Sequence, residues 1–578
     1  MTVCVICAQI QLGNMKSQLF LEFQFKEHDT VFRIMTVDTF RYNISYFGPS
    51  IKIMSATDTE IMVPKRQSLL RSTTLVSVMT FISRIVGFVR DMVLANFFGA
   101  QAGMDAFFVA FRIPNFMRRL FAEGAFAQAF VPVLAEYQKT RSPSDVRVFI
   151  ARISGYLGTI LSVVTLIGIF AAPVIIFLFA PGFSHDSDRA VLATEMLRIT
   201  FPFLMLVSLT AMAGAVLNTY GYFAIPAFTP VLLNISMILV AIYLCPHLPK
   251  PVVGLAWGVL IAGIAQLLFQ IPFLHQRSLL VKPQLVRNDA GVNKVLKLMI
   301  PALFGVSIAQ LNLMVDSIFA SFLKVGSVSW LYYTDRLTDF PLGVFGVAIA
   351  TVILPHLSRR HAEQSISQYS SALDWGLRSI LLIGIPAGLG LCLFAMPLIA
   401  SCFAYGKFTA YDVIQTQKSL ITLGAGVPAF MMVKVLASGF YARQDISTPV
   451  KVGAISMIVN TLLCSIFVWH FAHAGLTLAS ALAGYVNCGS LLFLLIKRGV
   501  FKPSPGWLKY SMQLLFANVA ISIYLILMSG TVSYWLGFSP VMRLILLSAH
   551  VTVAVTIYLL VLGLTGLRPA HFRGQVKE

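Results

Sequence analysis

From residue 70 almost to the C-terminus, apolar residues run in long blocks separated by short polar connections. A hydrocarbon core of about 30 Å needs about 20 apolar residues per helical crossing. Inside lipid, only helices and closed barrels satisfy their own backbone. The blocks predict fourteen transmembrane helices, over 72–98, 104–135, 153–180, 193–217, 223–245, 252–274, 298–323, 328–355, 376–403, 414–440, 450–470, 475–496, 510–530 and 541–565. The expected fold is an all-α polytopic membrane protein. Composition supports this: a 578-residue chain that is 57% hydrophobic and 11% charged cannot bury its apolar surface in a water-soluble core.

The first 61 residues break the pattern. They have no helical period, no long apolar region and no small-residue cleavage site, so they do not form a signal peptide. Met62 stands just before the basic pre-helix "VPKRQSLLRS". Two expectations stay open for residues 1–66: an extension from a start codon placed too far upstream, or a small soluble appendage.

The net charge of +20 sorts by side. When connections are taken alternately, 23 Lys and Arg fall in one set and 5 in the other. The positive-inside rule then places both termini in the cytoplasm and requires an even number of spans. Orientation accounts for the charge, and no nucleic-acid partner is expected. The seven cysteines are scattered, five of them in apolar segments. Cys4 and Cys7 form a C-x-x-C pair without a second pair or a nearby His, so neither a disulfide framework nor a metal site is expected there.

An internal repeat appears at an offset of about 225 residues. "RDMVLANFFGAQAGMDAFFVAFRI" lies over "VDSIFASFLKVGSVSWLYYTDRL", matching Asp91 to Asp316, Ala95 to Ala320 and Phe97 to Phe322. With one-residue slips, Arg112 matches Arg336, Phe116 matches Phe340 and Pro132 matches Pro355. Six spans separate the copies, so the repeat is parallel, and two six-helix lobes are expected, with two C-terminal helices left over. The expected organisation is an extension 1–66, an N-lobe 67–275, a cytoplasmic linker 276–297, a C-lobe 298–497, and helices 13 and 14 with a cytoplasmic tail over 498–578.

Charges lie inside the predicted spans. An arginine at a helix centre costs at least about 2.5–3.5 kcal/mol on insertion scales, so such residues face protein or a water-filled cavity. In "SRIVGFVRD", Ser83 stacks with Arg90 and Arg84 with Asp91 at i,i+7, giving two adjacent polar stripes. Segment 2 carries Asp105, Arg112 and Arg119 at sevens, with Arg118 and Glu123, and segment 8 carries Asp335, Arg336 and Asp339 after Tyr332 and Tyr333. Lys434 lies in segment 10. Arg118, Arg119 and Lys434 could equally be interfacial. Cations exceed anions in the N-lobe helices, which predicts an electropositive cavity that attracts an anion, and arginine offers a planar fork suited to phosphate. No P-loop, H-E-x-x-H or G-x-S-x-G occurs, so ATP hydrolysis in the usual way is excluded and no catalytic constellation competes.

"SRIVGFVRD", "DAFFVAFRIPNFMRRLFAEGAFAQAFVPVLAEY", "FAIPAFTPVLLNISM", "SVSWLYYTDRLTDFPLGVFGVAIATVILP" and "GFYARQDISTPVK" resemble the MurJ (MviN) family of lipid II flippases, from about residue 67 to 565. The resemblance implies the MOP exporter superfamily fold and no enzymatic activity. It implies a bacterial inner membrane location and a role in peptidoglycan synthesis, with lipid II and the bilayer as partners and cell-wall synthesis or division proteins as further candidates. By motif it puts the required cavity residues on Arg84, Arg90, Arg118, Arg336 and Asp105, with Ser83, Asp91, Arg112, Glu123 and Ser329 behind them. Some members bind sodium. Asp316 and Asn460 fill two of those ligand places, while Cys464 stands where a second acid would be expected. No organic cofactor is implied, and the energy source is left between a sodium ion and the membrane potential. The competing classes are a MATE-like exporter, which would need unpaired carboxylates in its cavity, and a non-transporting scaffold, for which the cavity arginines would be dispensable.

Overall fold

The computed structural model describes residues 8–9, 21–23, 32–34, 66–119, 124, 126–286 and 289–567. Two units are distinguished, Met1–Leu70 and Arg71–Glu578. In the first, β1 (Ala8–Gln9), β2 (Leu21–Phe23) and β3 (Phe32–Ile34) form an antiparallel sheet in the order β1-β2-β3. Cys4, Cys7 and Glu123 lie outside the described residues.

The rest is helical. The first half comprises α1 (Arg66–Phe98), α2 (Ala102–Met117), α3 (Ala127–Thr140), α4 (Pro143–Phe170), α5 (Ala172–Phe179), α6 (Ser187–Thr200), α7 (Pro202–Thr219), α8 (Ala224–Leu239) and α9 (Val253–Gln276). The second comprises α10 (Ala290–Ser321), α11 (Ser327–Pro341), α12 (Val347–Ala362), α13 (Ile366–Leu393), α14 (Ala395–Cys402), α15 (Ala410–Tyr441), α16 (Ser447–Phe471) and α17 (His473–Lys497). A final hairpin follows: α18 (Trp507–Ser529), the short α19 (Val532–Leu536) and α20 (Pro540–Leu564).

Among the described residues, eleven helices are long and apolar enough to cross a membrane. They correspond to eleven of the fourteen expected segments. The exceptions are 72–98, 104–135 and 298–323. All three include residues whose side chains lie outside the described set; in 104–135, α2 runs to Met117 and α3 from Ala127, and the described residues between them, Arg118, Arg119, Gly124 and Phe126, are π-helical. Pro114, which lacks an amide proton, lies one turn before this change from α to π hydrogen bonding. The segment 328–355 is also interrupted, by a π-turn over Leu342–Gly346 directly after Pro341.

Start signals explain several boundaries. Ser142 and Asp145 form a capping box at α4 with Pro143 at the first helical position, and Thr409 and Asp412 do the same at α15. Packing proceeds within each half: α9 lies on α7 and α8 and α2 lies on α6, while α15 lies on α13 and α17 and α16 lies on α17. Lipid gives apolar helices no hydrophobic reason to associate, so close approach of backbones matters. At Gly388 of α13 a Cβ would come within 2.8 Å of the Gly424 carbonyl of α15, so only glycine permits that crossing.

The C-terminal hairpin is fixed at both ends by buried polar groups. At one end Arg543 is 8% exposed and donates to the carbonyls of Phe538, Leu536 and Ala404, closing the C-terminal end of α14. At the other, the buried Asp374 accepts from Trp507 Nε1 at 2.6 Å and pairs with Arg378, whose guanidinium lies over the Trp507 ring. An aliphatic face of α18 and α20 is thus held beside α13 with little freedom to detach.

Within the connection after α9, residues 279–286 dock as an extended strap on α4. Gln284 N donates to Ala151 O at 2.9 Å, the Tyr156 hydroxyl donates to Val286 O at 2.7 Å, and Arg152 pairs with Asp289 at 2.5 Å. At Gly155 a Cβ would lie 2.2 Å from the Gln284 carbonyl oxygen, so backbone must move if anything larger is placed there. Gly155→Ala is expected to lift the strap and expose a new protease cleavage site between residues 278 and 286. A digestion pattern identical to the parent's would show that the strap tolerates the methyl group.

Candidate functional site

A cavity with a volume of about 890 Å³ is lined by residues of both halves. Arg90, Arg112, Arg118, Arg119, Arg336 and Lys434 line it, against the acids Asp316, Asp335 and Asp339. Six cations to three anions leaves an excess of positive charge in a space where water screens poorly.

Its centre is a polar node built from α1, α8 and α11. Asp91 is fully buried. Its Oδ1 accepts from Arg90 Nη2 at 2.7 Å, from Arg90 Nε at 3.0 Å and from the Tyr332 hydroxyl at 3.0 Å. Its Oδ2 pairs with Arg336 Nε at 2.7 Å. Arg90 Nη1 also donates to Asn234 Oδ1 at 3.0 Å, and Asn234 Nδ2 in turn donates to the Ser83 carbonyl at 3.1 Å. Tyr332 accepts from Arg90 Nη2 at 2.8 Å and from Arg336 at 3.3 Å, and the Arg336 guanidinium lies 5.3 Å from its ring centroid. One carboxylate therefore serves two guanidiniums from opposite halves of the chain, with net positive charge. Arg90 is 2% exposed with its donors engaged, whereas the Arg336 side chain is 34% exposed and presents its fork to the cavity.

Arg84 is not part of this node. Its guanidinium packs on the backbone of α11's extension at Gly343, where a Cβ would come within 2.1 Å of Nη1. It shares the field around Asp339 with Arg336, Arg119 and Lys434. Arg118 Nε donates to Asn115 Oδ1 at 3.3 Å, at the end of α2. Arg112 donates to the Ser317 hydroxyl and lies 3.7 Å from Asp335 Oδ2.

Asp105 departs from the expected position. It does not line the cavity and does not pair with a cavity arginine. α2 rises about 1.5 Å per residue, so Asp105 in its first turn stands roughly 10 Å from the level of Arg112. There it accepts from the amides of Gly326 and Ser329 at 2.7 and 2.9 Å and from the Ser329 hydroxyl at 2.6 Å, with Arg189 Nη1 at 4.0 Å. A carboxylate of one half thus caps the N-terminus of α11 in the other, which favours negative charge. Gly326 makes the turn into that helix at φ +96°, a conformation that favours glycine. Two further contacts join the halves at this end: Lys407 N to Asn96 O at 2.9 Å, and Gly182 N to Ser321 Oγ at 2.9 Å.

Asp316, the repeat-mate of Asp91, accepts from Asn460 Nδ2 at 3.3 Å and from the Cys464 thiol at 3.8 Å, while Ser480 donates to Asn460 Oδ1 at 3.2 Å. Donors, not lone pairs, face this carboxylate oxygen. Among the described residues no group of three or more His, Cys, Asp or Glu could share a metal. Asp316 and Asn460 thus stand together, with Asn460 turning its amide protons toward the carboxylate.

The sequence of the "Lipid II flippase MurJ" family matches residues 94–546. A probable lipid II flippase MurJ from Vibrio cholerae is 46% identical over 516 residues, covering 88% of this chain and 98% of the relative. The chain belongs to the MurJ family. A lipid II flippase MurJ from Burkholderia cenocepacia is 41% identical over 522 residues, covering 88% of this chain and all of the relative. A solved structure of lipid II flippase MurJ in an inward closed conformation superposes with a TM-score of 0.71 at 28% identity, covering 84% of this chain and 98% of the other. An inward-facing MATE family transporter of the MOP superfamily shares the fold at 15% identity, with a TM-score of 0.58 over 74% of this chain and 95% of that one. Like other MurJ proteins, this multi-pass membrane protein is a transporter and not an enzyme.

Sequence reasoning had not named Asn234, Tyr332 or Arg189 as functional. Asn234 had a usable signal: it stands 226 residues before Asn460, close to the repeat offset. Arg189 belongs to the sparse charge set, where each basic residue invites a search for a partner acid.

Proposed function

We propose that this protein moves lipid II, an undecaprenyl-pyrophosphate-linked disaccharide peptide, from the cytoplasmic to the periplasmic leaflet of a bacterial inner membrane. The supporting observation is the convergence of Arg90 and Arg336 on Asp91 inside a cavity with excess positive charge. The pyrophosphate competes with Asp91 for Arg336, while the head group occupies the cavity and the polyprenyl tail stays in lipid along α18 and α20. The protein alternates between inward-open and outward-open states, and both termini lie in the cytoplasm. The donors that Asn460 and Cys464 turn toward Asp316 Oδ1 support the membrane potential over sodium as the driving force. An anionic head group leaving a negative cytoplasm gains about 2.3 kcal/mol per charge per 100 mV.

Two other readings make different predictions. A MATE-like exporter of cations would be served badly by a cavity in which arginines predominate, and a scaffold would tolerate their neutralisation. The test is depletion of the protein in its host, with lipid II assayed on each leaflet. Lipid II is expected to accumulate on the cytoplasmic side, and an unchanged distribution would overturn the reading.

A further inference from the structure

Away from the arginine-lined cavity, a crevice of about 800 Å³ opens between α5 and α6. Its walls are mostly apolar, with Pro173, Ile176 and Phe177 from α5 and Val191 and Ile199 from α6, and its charged residues are Glu195 and Arg198. The packing of α4 against the end of α6 and the start of α7 sets its level in the bilayer. Ser162 Oγ lies 3.6 Å from the Met205 sulfur, and a Cβ on Gly168 would overlap the Phe201 ring. The chain runs antiparallel across these contacts, so Arg198, three residues before Phe201, stands near the level of Ala171, where α5 begins. Apolar surface continues on both sides of that level. Val174, Phe177 and Leu178 of α5 and Val191 of α6 lie beyond it and are 59–62% exposed, while Ile167 and Phe170 lie before it and are 61% and 80% exposed. Large apolar side chains this bare mark a surface that lipid covers.

Arg198 is a charge set into that surface. It is exposed, and among the described residues it makes no ion pair or hydrogen bond. The acid one turn before it, Glu195, is taken by Lys250 at 2.9 Å. Two cations and one anion leave one positive charge without a counter-charge from the protein. An ionised side chain at an apolar level is costly unless a partner or water reaches it, and a lipid phosphate is the anion nearest to hand.

We propose that the crevice between α5 and α6 holds one anionic glycerophospholipid, with its phosphate on Arg198 and an acyl chain along the apolar wall of α5. The single uncompensated positive charge matches a headgroup with one net negative charge, of the phosphatidylglycerol kind. A zwitterionic headgroup would bring an ammonium toward Lys250 and Arg198. The guanidinium fork takes two oxygens of a phosphodiester at once. This site is separate from the route through the cavity: Arg198 follows Arg189 by nine residues, about two and a half turns, and so lies on the opposite face of α6 from the side chain that approaches Asp105.

The test takes the full-length protein from nanodiscs of equal parts phosphatidylglycerol and phosphatidylethanolamine into detergent and counts retained lipid by native mass spectrometry. The parent is expected to keep one phosphatidylglycerol with a preference of about tenfold or more, as a hydrogen bond to a charged group would give. Arg198→Gln removes a charge that holds no partner in the fold, so it should melt as the parent does, and its preference should fall to within about twofold. Arg198→Lys keeps the charge and should keep part of the preference. Thr194→Trp fills the crevice while leaving Arg198 in place, and should lower retention of both lipids roughly tenfold by displacing the chain from apolar contact. Equal retention of the two lipids by the parent would leave only unselective annular lipid and overturn the proposal, as would a preference in Arg198→Gln equal to the parent's. Parent-like retention by Thr194→Trp would overturn the seating of the chain between α5 and α6.

Discussion

Arg336→Ala is expected to abolish translocation while leaving the protein folded and inserted. Asp91 is the reason the fold should survive. Removing Arg336 takes away one ion pair at 2.7 Å, but Arg90 and Tyr332 continue to hold the carboxylate. The buried charge is therefore not left uncompensated, which is the situation that makes loss of one ion-pair partner costly. Arg336 is also the cation of the node with its fork open to the cavity. Hydrogen bonds to charged groups are worth about 1.5–3 kcal/mol each, so losing a two-pronged phosphate contact should reduce transport on the order of a hundredfold or more. Arg336→Lys keeps the charge but not the fork, and is expected to recover only part of the activity. Arg90→Ala should be as inactive but less informative, because it strips Asp91 and Asn234 of partners at once. The measurement is complementation of a strain depleted of its own flippase, with membrane levels of each variant checked. Normal growth on Arg336→Ala at normal expression would sink the role given to this residue.

The same node shows where sequence reasoning stops. Eleven spans could be read from the chain because lipid imposes a length and an apolar composition on every crossing helix. Intramembrane charges could be read because each is too costly to place at random. The rotation of a helix about its axis is not written so plainly. Ser83, Arg84, Arg90 and Asp91 fall on two neighbouring stripes of α1, and hydropathy alone does not say which stripe faces protein. Arg90 and Asp91 turn out to be buried, whereas Arg84 lies on the exposed side, against Gly343. Adjacent residues on a helix do not normally face each other. Arg90 reaches Asp91 only because its side chain is long, and Asn234 and Tyr332 from two other helices hold the guanidinium in place. Those two partners come from tertiary packing. Asp105 illustrates the opposite error. Its seven-residue spacing from Arg112 and Arg119 suggested one polar stripe, yet seven residues are also two turns of rise, enough to carry it out of the cavity to the helix ends.

Asp105 is expected to act on the closure between the halves, and its loss should open that end. Three bonds from the N-terminus of α11 end on its carboxylate, and each hydrogen bond to a charged group is worth about 1.5–3 kcal/mol. Without the carboxylate, the amides of Gly326 and Ser329 lose their acceptor, and Arg189 keeps only Asp186, which it contacts at 2.7 Å. The remaining joints, Lys407 to Asn96 and Gly182 to Ser321, are single neutral bonds. In the alternating cycle proposed above, this end closes as well as opens, so the bias matters in both directions. Asp105→Ala should therefore shift the population toward opening and impair transport, and Asp105→Asn, which retains an acceptor oxygen but no charge, should be intermediate. Hydrogen–deuterium exchange reads the effect directly at the two amides. Peptides covering 323–331 are expected to exchange at least tenfold faster in Asp105→Ala, while peptides from α18, which packs on α13 and α20, exchange as in the parent. Unchanged protection at Gly326 and Ser329 would mean that α11 is held by its own packing and that Asp105 contributes no closing bias.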